Sequence, residues 1–131
     1  MTRRILIVED NLSLQGMYRT ALDFQGFDVD VASDGLSALW HIQEKKPDAI
    51  VLDLGLPFLR GEAILTELAA SPSMRQIPVV VVTGSEPAYV PGWTGAILKK
   101  PCDADRLIST ISSMFKPKKR MAKARPRTSQ R

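Results

Sequence analysis

The run Ile50-Val51-Leu52-Asp53-Leu54-Gly55-Leu56-Pro57 constrains this chain more than any other stretch. Three apolar residues meet a lone carboxylate, and a Gly and a Pro soon end the run. A short, continuous apolar run bounded by turn residues fits a strand covered on both faces, as in the parallel sheet of an α/β domain. Asp53 then stands at the carboxyl end of a central strand, where open α/β sheets place their ligand sites. A carboxylate held there is costly unless its charge is compensated, so neighbouring segments are expected to supply compensating groups.

The flanking sequence repeats the pattern. Arg3–Val8 is a first buried strand that closes on Glu9-Asp10-Asn11, and Asn11 can cap the first helix. Leu14, Met17, Tyr18, Ala21 and Leu22 recur at helical spacing until Gly26 stops them. Phe27–Val31 alternates apolar and acidic residues, as a half-exposed or edge strand does. Asp34-Gly35 opens a second helix, with Leu36, Leu39, Trp40 and Ile42 as the expected inward stripe, and Lys45-Lys46-Pro47 closes it. Ala49–Asp53 is the central strand. A third helix runs past Gly61 through Ala63, Ile64, Leu65 and Leu68 to Ser71-Pro72. Ile77–Thr83 is the most emphatic strand of all. Ala96–Leu98 is a short last strand running into Lys99-Lys100-Pro101, and Asp103 caps a final helix with Leu107, Ile108, Ile111 and Phe115 inward. Five strands alternating with helices predict a doubly wound parallel sheet joined by right-handed crossovers.

Composition narrows the class. At 131 residues and 44% hydrophobic, the chain has apolar material for one domain with a real core. No apolar run approaches the ~20 residues of a membrane span. The stretch Ile5–Val8 is too short for a signal-peptide core, and acids come directly after it. The single cysteine, Cys102, excludes an internal disulfide and any Cys-based metal cluster. A cytoplasmic protein is the expectation. The net charge of +4 hides two populations: Lys116–Arg131 holds eight Lys or Arg and no acid, whereas Met1–Phe115 holds ten basic residues against fourteen acids. Residues 1–115 are therefore expected to fold, and 116–131, with two prolines and no apolar periodicity, to form a disordered basic tail.

Strands of a parallel sheet all point one way, so their carboxyl ends share one edge. Glu9 and Asp10, Asp53, Thr83 and Lys100 each lie at that edge, at the end of a predicted strand. Three carboxylates crowded together repel one another, and a hard divalent cation relieves them; Mg²⁺ suits a few carboxylates, waters and a phosphate. Lys100 adds a positive charge and Thr83 a hydroxyl donor, completing a site for a phosphoryl group carried on Asp53. Singly, each residue has a plainer reading: a capping acid, a turn threonine, a surface lysine. It is their joint occurrence, each at the end of its own strand, that favours a site. Trp40, Trp93, His41 and Cys102 read as packing or surface residues.

Here the chain resembles the response-regulator receiver domain over about residues 3–115. The resemblance rests on the acid pair Glu9-Asp10, the run Asp53, Leu56, Pro57 and Gly61, the Thr83-Gly84 pair and the Lys100-Pro101 pair. It implies a flavodoxin-like sheet of order 2-1-3-4-5. It implies that Asp53 accepts phosphate from a histidine kinase or phosphotransfer protein, and that the change switches contacts with a downstream protein. Asp10 would bind Mg²⁺ directly and Glu9 mainly through water, with the backbone carbonyl of Gly55 as a further ligand. Thr83 would hydrogen-bond the phosphoryl group and move toward it, and Lys100 would pair with Asp53 at rest, preceding a cis bond to Pro101. Such a domain is a phosphoacceptor rather than an enzyme, apart from self-catalysed phosphorylation and dephosphorylation.

Two departures stand out. Between Thr83 and Lys100 the family carries a full fourth helix, but Pro87, Pro91, Gly92 and Gly95 crowd this segment, so that helix is expected to be missing or reduced. At the switch position paired with Thr83 the family usually has Tyr or Phe, and here stands Ile97. Read-out through the family's usual face is therefore not implied. A haloacid-dehalogenase-type phosphatase needs a second Asp two residues after the nucleophile, where this chain has Gly55. The remaining alternatives are a non-phosphorylated pseudo-receiver that only binds partners, and a regulator that contacts nucleic acid through the tail Lys116–Arg131.

Overall fold

The three most apolar runs become the three central strands of one sheet. The computed structural model describes residues 2–84, 93 and 95–115. The strands β1 (Arg4–Val8), β2 (Asp28–Ala32), β3 (Ala49–Leu52), β4 (Val79–Thr83) and β5 (Ala96–Lys99) are all parallel. They lie in the order β2-β1-β3-β4-β5. The Val/Ile/Leu runs of β3 and β4 are buried at every position, as strands covered on both faces must be. The alternating run of β2 occupies an edge, as its half-exposed pattern predicts.

Four helices cover the sheet among the described residues: α1 (Leu12–Phe24), α2 (Gly35–Glu44), α3 (Gly61–Ala70) and α4 (Ala104–Met114). Three begin at side-chain caps. Asn11 accepts from the Leu14 amide at 2.9 Å, Asp34 from Ser37 at 2.8 Å and Asp103 from Arg106 at 2.8 Å. Each such cap is worth about 1 kcal/mol. Gly26, at φ +93°, ends the turn after α1 in a conformation other residues rarely adopt.

Because side chains alternate along a strand, the sheet feeds two cores. Leu6, Val8, Ile50, Leu52, Val79 and Val81 face α2 and α3 through Ile42, Ile64, Leu65 and Leu68. Ile5, Ile7, Val51, Val80 and Val82 face α1 and α4 through Tyr18, Leu22, Leu107 and Ile111. Cys102 fills space in this second core, and Trp93 packs partly buried against the first.

The stripe expected on α2 is corrected. Leu36 and Trp40 are 59% and 58% exposed, whereas Ala38 and Ile42 are buried. Residues 38 and 42 are four apart and share the core face of the helix, while residue 40 lies about 200° round from 38 and points away. The Trp40 ring instead meets His41 edge-on, with centroids 5.1 Å apart.

No helix is seen between β4 and β5 among the described residues, but most of the segment read as a reduced fourth helix, 85–92 and 94, lies outside them. The basic stretch 116–131 lies outside them as well. Among the described residues no helix is long and apolar enough to cross a membrane.

Candidate functional site

In this strand order the chain leaves β1 toward one side of the sheet and β3 toward the other, so a crevice opens between their carboxyl ends. The sheet ladder runs one residue past the strands and sets what borders it. The Asp53 amide donates to the Val8 carbonyl at 2.9 Å, the Glu9 amide to Ala32 at 3.0 Å and the Lys100 amide to Thr83 at 2.9 Å. Strand pairing therefore places Glu9, Asp53 and Lys100 directly.

Glu9, Asp10 and Asp53 each bring a carboxylate oxygen within 4.8 Å of the other two. Glu9 is 1% exposed and Asp53 7% exposed, whereas Asp10 is open to solvent. The Lys100 ammonium lies 3.0 Å from Glu9 Oε1 and 3.4 Å from Asp53 Oδ2. Main-chain amides take up further lone pairs: Gly55 N–H donates to Asp53 Oδ1 at 3.2 Å and Asn11 N–H to Glu9 Oε2 at 3.1 Å.

These surroundings tune the charges. Burial raises the Glu9 carboxyl above the ordinary glutamate range, and the charge of Asp53 adds to the rise; the Asn11 amide and Lys100 counter it only in part. Burial acts on Lys100 to lower it, but contact with Glu9 and Asp53 outweighs that, and its ammonium is held above the usual lysine value. Three carboxylates share this pocket with the Lys100 ammonium, which pairs with two of them. A hard oxygen-donor set with that surplus of negative charge fits a divalent cation such as Mg²⁺.

The loop after Asp53 is packed hard against the site. A Cβ on Gly61 would stand 2.6 Å from Leu54 Cα and 2.7 Å from the Asp53 carbonyl oxygen, so only glycine lets α3 begin this close. Thr83 is buried at the end of β4, two strands along from Glu9. Ile97, in register with Val81, is 43% exposed on the edge strand β5 and is not part of either core. The Lys100-Pro101 bond is cis.

The structure thus gathers the carboxylates of Glu9, Asp10 and Asp53, brings Lys100 onto Glu9 and Asp53, seats Gly55 on Asp53 and sets Thr83 on the same edge. Two features carry no sequence signal. Lys100 sits nearer Glu9 than Asp53, and Gln15 with Ser33 ties down the turn that carries the acids. A Gln in a first helical turn and a Ser in a loop are too common to point to such a role.

A doubly wound domain with a carboxylate cluster at its switch point is the class that fold and site define. Comparison with known proteins narrows it. A model of the response regulator receiver domain matches residues 5–112. The polar-differentiation response regulator DivK of Brucella ovis is 33% identical over 118 residues, spanning 86% of this chain and 96% of that protein. The chain belongs to the response regulator receiver domain family of two-component signalling.

Solved structures agree. Chemotaxis response regulator CheY4 of Vibrio cholerae shares the fold at a TM-score of 0.78 and 24% identity, covering 88% of this chain and 100% of that one. The receiver domain of sensor histidine kinase PA1611 from Pseudomonas aeruginosa, solved with a magnesium ion coordinated in its active-site cleft, has a TM-score of 0.77 and 25% identity. That likeness covers 86% of this chain and 97% of that one.

Proposed function

We propose that residues 1–115 act as a phosphoacceptor receiver in the cytoplasm. Asp53 takes a phosphoryl group from the phosphohistidine of a histidine kinase or phosphotransfer protein, and the modified domain changes its contacts with a downstream protein. The observation that carries this is the convergence of Glu9, Asp10 and Asp53 within 4.8 Å, with Lys100 reaching two of them.

In the transfer, an Asp53 carboxylate oxygen forms a bond to phosphorus as the donor's P–N bond breaks, and the departing imidazole takes a proton from water. Asp10, Asp53 and the Gly55 carbonyl would hold Mg²⁺, with Glu9 assisting. When bound, the ion neutralises charge on the phosphoryl oxygens. The chain's own groups do the rest. The Gly55 amide orients Asp53 through Oδ1, and the Lys100 ammonium turns from the carboxylates to the phosphoryl oxygens. The Thr83 hydroxyl donates to the same group. The basic stretch 116–131 stands apart from this chemistry, as a contact for polyanions such as nucleic acid.

The test is incubation with radiolabelled acetyl phosphate and Mg²⁺. The natural chain is expected to take up one acid-stable, hydroxylamine-labile phosphate, and Asp53→Asn to take up none. Label retained by Asp53→Asn would refute the assignment.

A further inference from the structure

Glu9 is partnered at every polar group it has. Its amide donates to Ala32, its carboxylate accepts from the Asn11 amide and faces Lys100, and its main-chain carbonyl accepts from the side-chain amide of Gln15 at 2.5 Å. The same Gln15 nitrogen donates to Ser33 Oγ at 2.9 Å. A carboxamide nitrogen has two hydrogens, and both are used here. Gln15 therefore joins three pieces of chain: the first turn of α1, the acid-bearing turn after β1 and the turn between β2 and α2.

The bonded carbonyl belongs to the peptide unit that links Glu9 to Asp10. That unit is planar, so holding its oxygen sets the direction in which Asp10 leaves it. Asp10 is the one exposed member of the three carboxylates, and so the one least held by packing. Glu9 has burial and Lys100 to place it, and Asp53 has the ladder and Gly55. For Asp10, the orientation of the preceding peptide is the available constraint.

We propose that Gln15 is a positioning residue for the cation site, aiming Asp10 by clamping the Glu9 carbonyl and being itself held by Ser33. The inference rests on the cation-binding reading above. It makes the β2–α2 turn, through Ser33, part of the support of the metal site, so a contact made at that turn would be felt as a change in cation affinity.

Mg²⁺ alone is the probe, followed by amide chemical shifts of the full chain, with urea unfolding measured in parallel. Gln15→Leu keeps helix propensity and similar bulk but removes the donor. It should weaken Mg²⁺ binding roughly tenfold, the size of loss typical when a supporting hydrogen bond behind a metal ligand is removed. In the metal-free variant the Asn11 amide should exchange faster than in the parent, and the urea midpoint measured in parallel separates this from a general loss of helix stability. Ser33→Ala, at an exposed site that tolerates the change, should weaken Mg²⁺ less, and the double variant should do no worse than Gln15→Leu alone. Mg²⁺ affinity unchanged within twofold in both single variants overturns the proposal, as does a loss of stability with affinity preserved. A chain that binds Mg²⁺ yet leaves Asp53 unlabelled would overturn the phosphoacceptor reading and leave the Gln15 result to stand by itself.

Discussion

The ammonium of Lys100 lies 3.0 Å from Glu9 Oε1, closer than its 3.4 Å approach to Asp53. The lysine is thus first a counter-ion for the most buried acid of the site and only second a partner of Asp53. Replacing it with Met strands the Glu9 charge, at a cost in metal-free stability of about 3 kcal/mol, the low end for a buried pair because Lys100 is partly exposed. Glu9 is already raised, so the stability linked to its protonated form is fully present below the ordinary glutamate value and lost as pH rises through the raised one. Lys100→Met pushes that window upward. Its deficit against the natural chain, read from urea midpoints, should be larger near about pH 8 than near about pH 5, and Mg²⁺, relieved of a competing cation, should bind it more tightly.

Gly61→Ala should be harmful although alanine favours helices by about 1 kcal/mol. The added Cβ meets backbone rather than a flexible side chain, 2.6 Å from Leu54 Cα and 2.7 Å from the Asp53 oxygen. The start of α3 must retreat, carrying Asp53 with it. A loss of about 1–3 kcal/mol in urea unfolding is expected, with slower phosphorylation by acetyl phosphate.

Tyr18 is buried on α1, and its hydroxyl has no hydrogen-bond partner among the described residues. Burial, with the charge of Glu9 adding to it, pushes its phenol up to about 12. The stability tied to the neutral phenol is fully present below the ordinary tyrosine value of about 10 and lost as pH rises through about 12. Absorbance titration should show this phenol ionising together with alkaline unfolding. Tyr18→Phe removes an unsatisfied polar group and should leave the protein equally stable or up to about 1 kcal/mol more stable at neutral pH.

Two neighbours on α2 should respond very differently. Ile42→Ala opens a hole in the first core and should cost about 2–5 kcal/mol. Trp40→Ala, at a position 58% exposed, should change stability by no more than about 0.5 kcal/mol. Comparable losses from both would contradict the orientation of the helix.

The order of elements and the edge that carries the acids are legible in residue pattern because both are local or set by topology alone. Apolar runs of β length, the caps Asn11, Asp34 and Asp103, and alternation with helices leave a parallel sheet as the consistent answer, and a parallel sheet puts Glu9, Asp53, Thr83 and Lys100 at one end. The face of α2 is not legible in the same way, because Leu36, Trp40 and Ile42 are all apolar, and hydrophobicity alone does not say which side of a helix meets the sheet. Packing chose the side with Ala38, whose small side chain lets the helix approach.

By itself, then, the chain's pattern of apolar runs and interrupting acids determined which strands form, how they run and which residues end them, since these depend on backbone geometry and nearest neighbours. Only the tertiary structure decided that Lys100 leans toward Glu9 and that Gln15 spans to Ser33. Both depend on distances of a few tenths of an ångström between segments far apart in sequence, and no local preference encodes them.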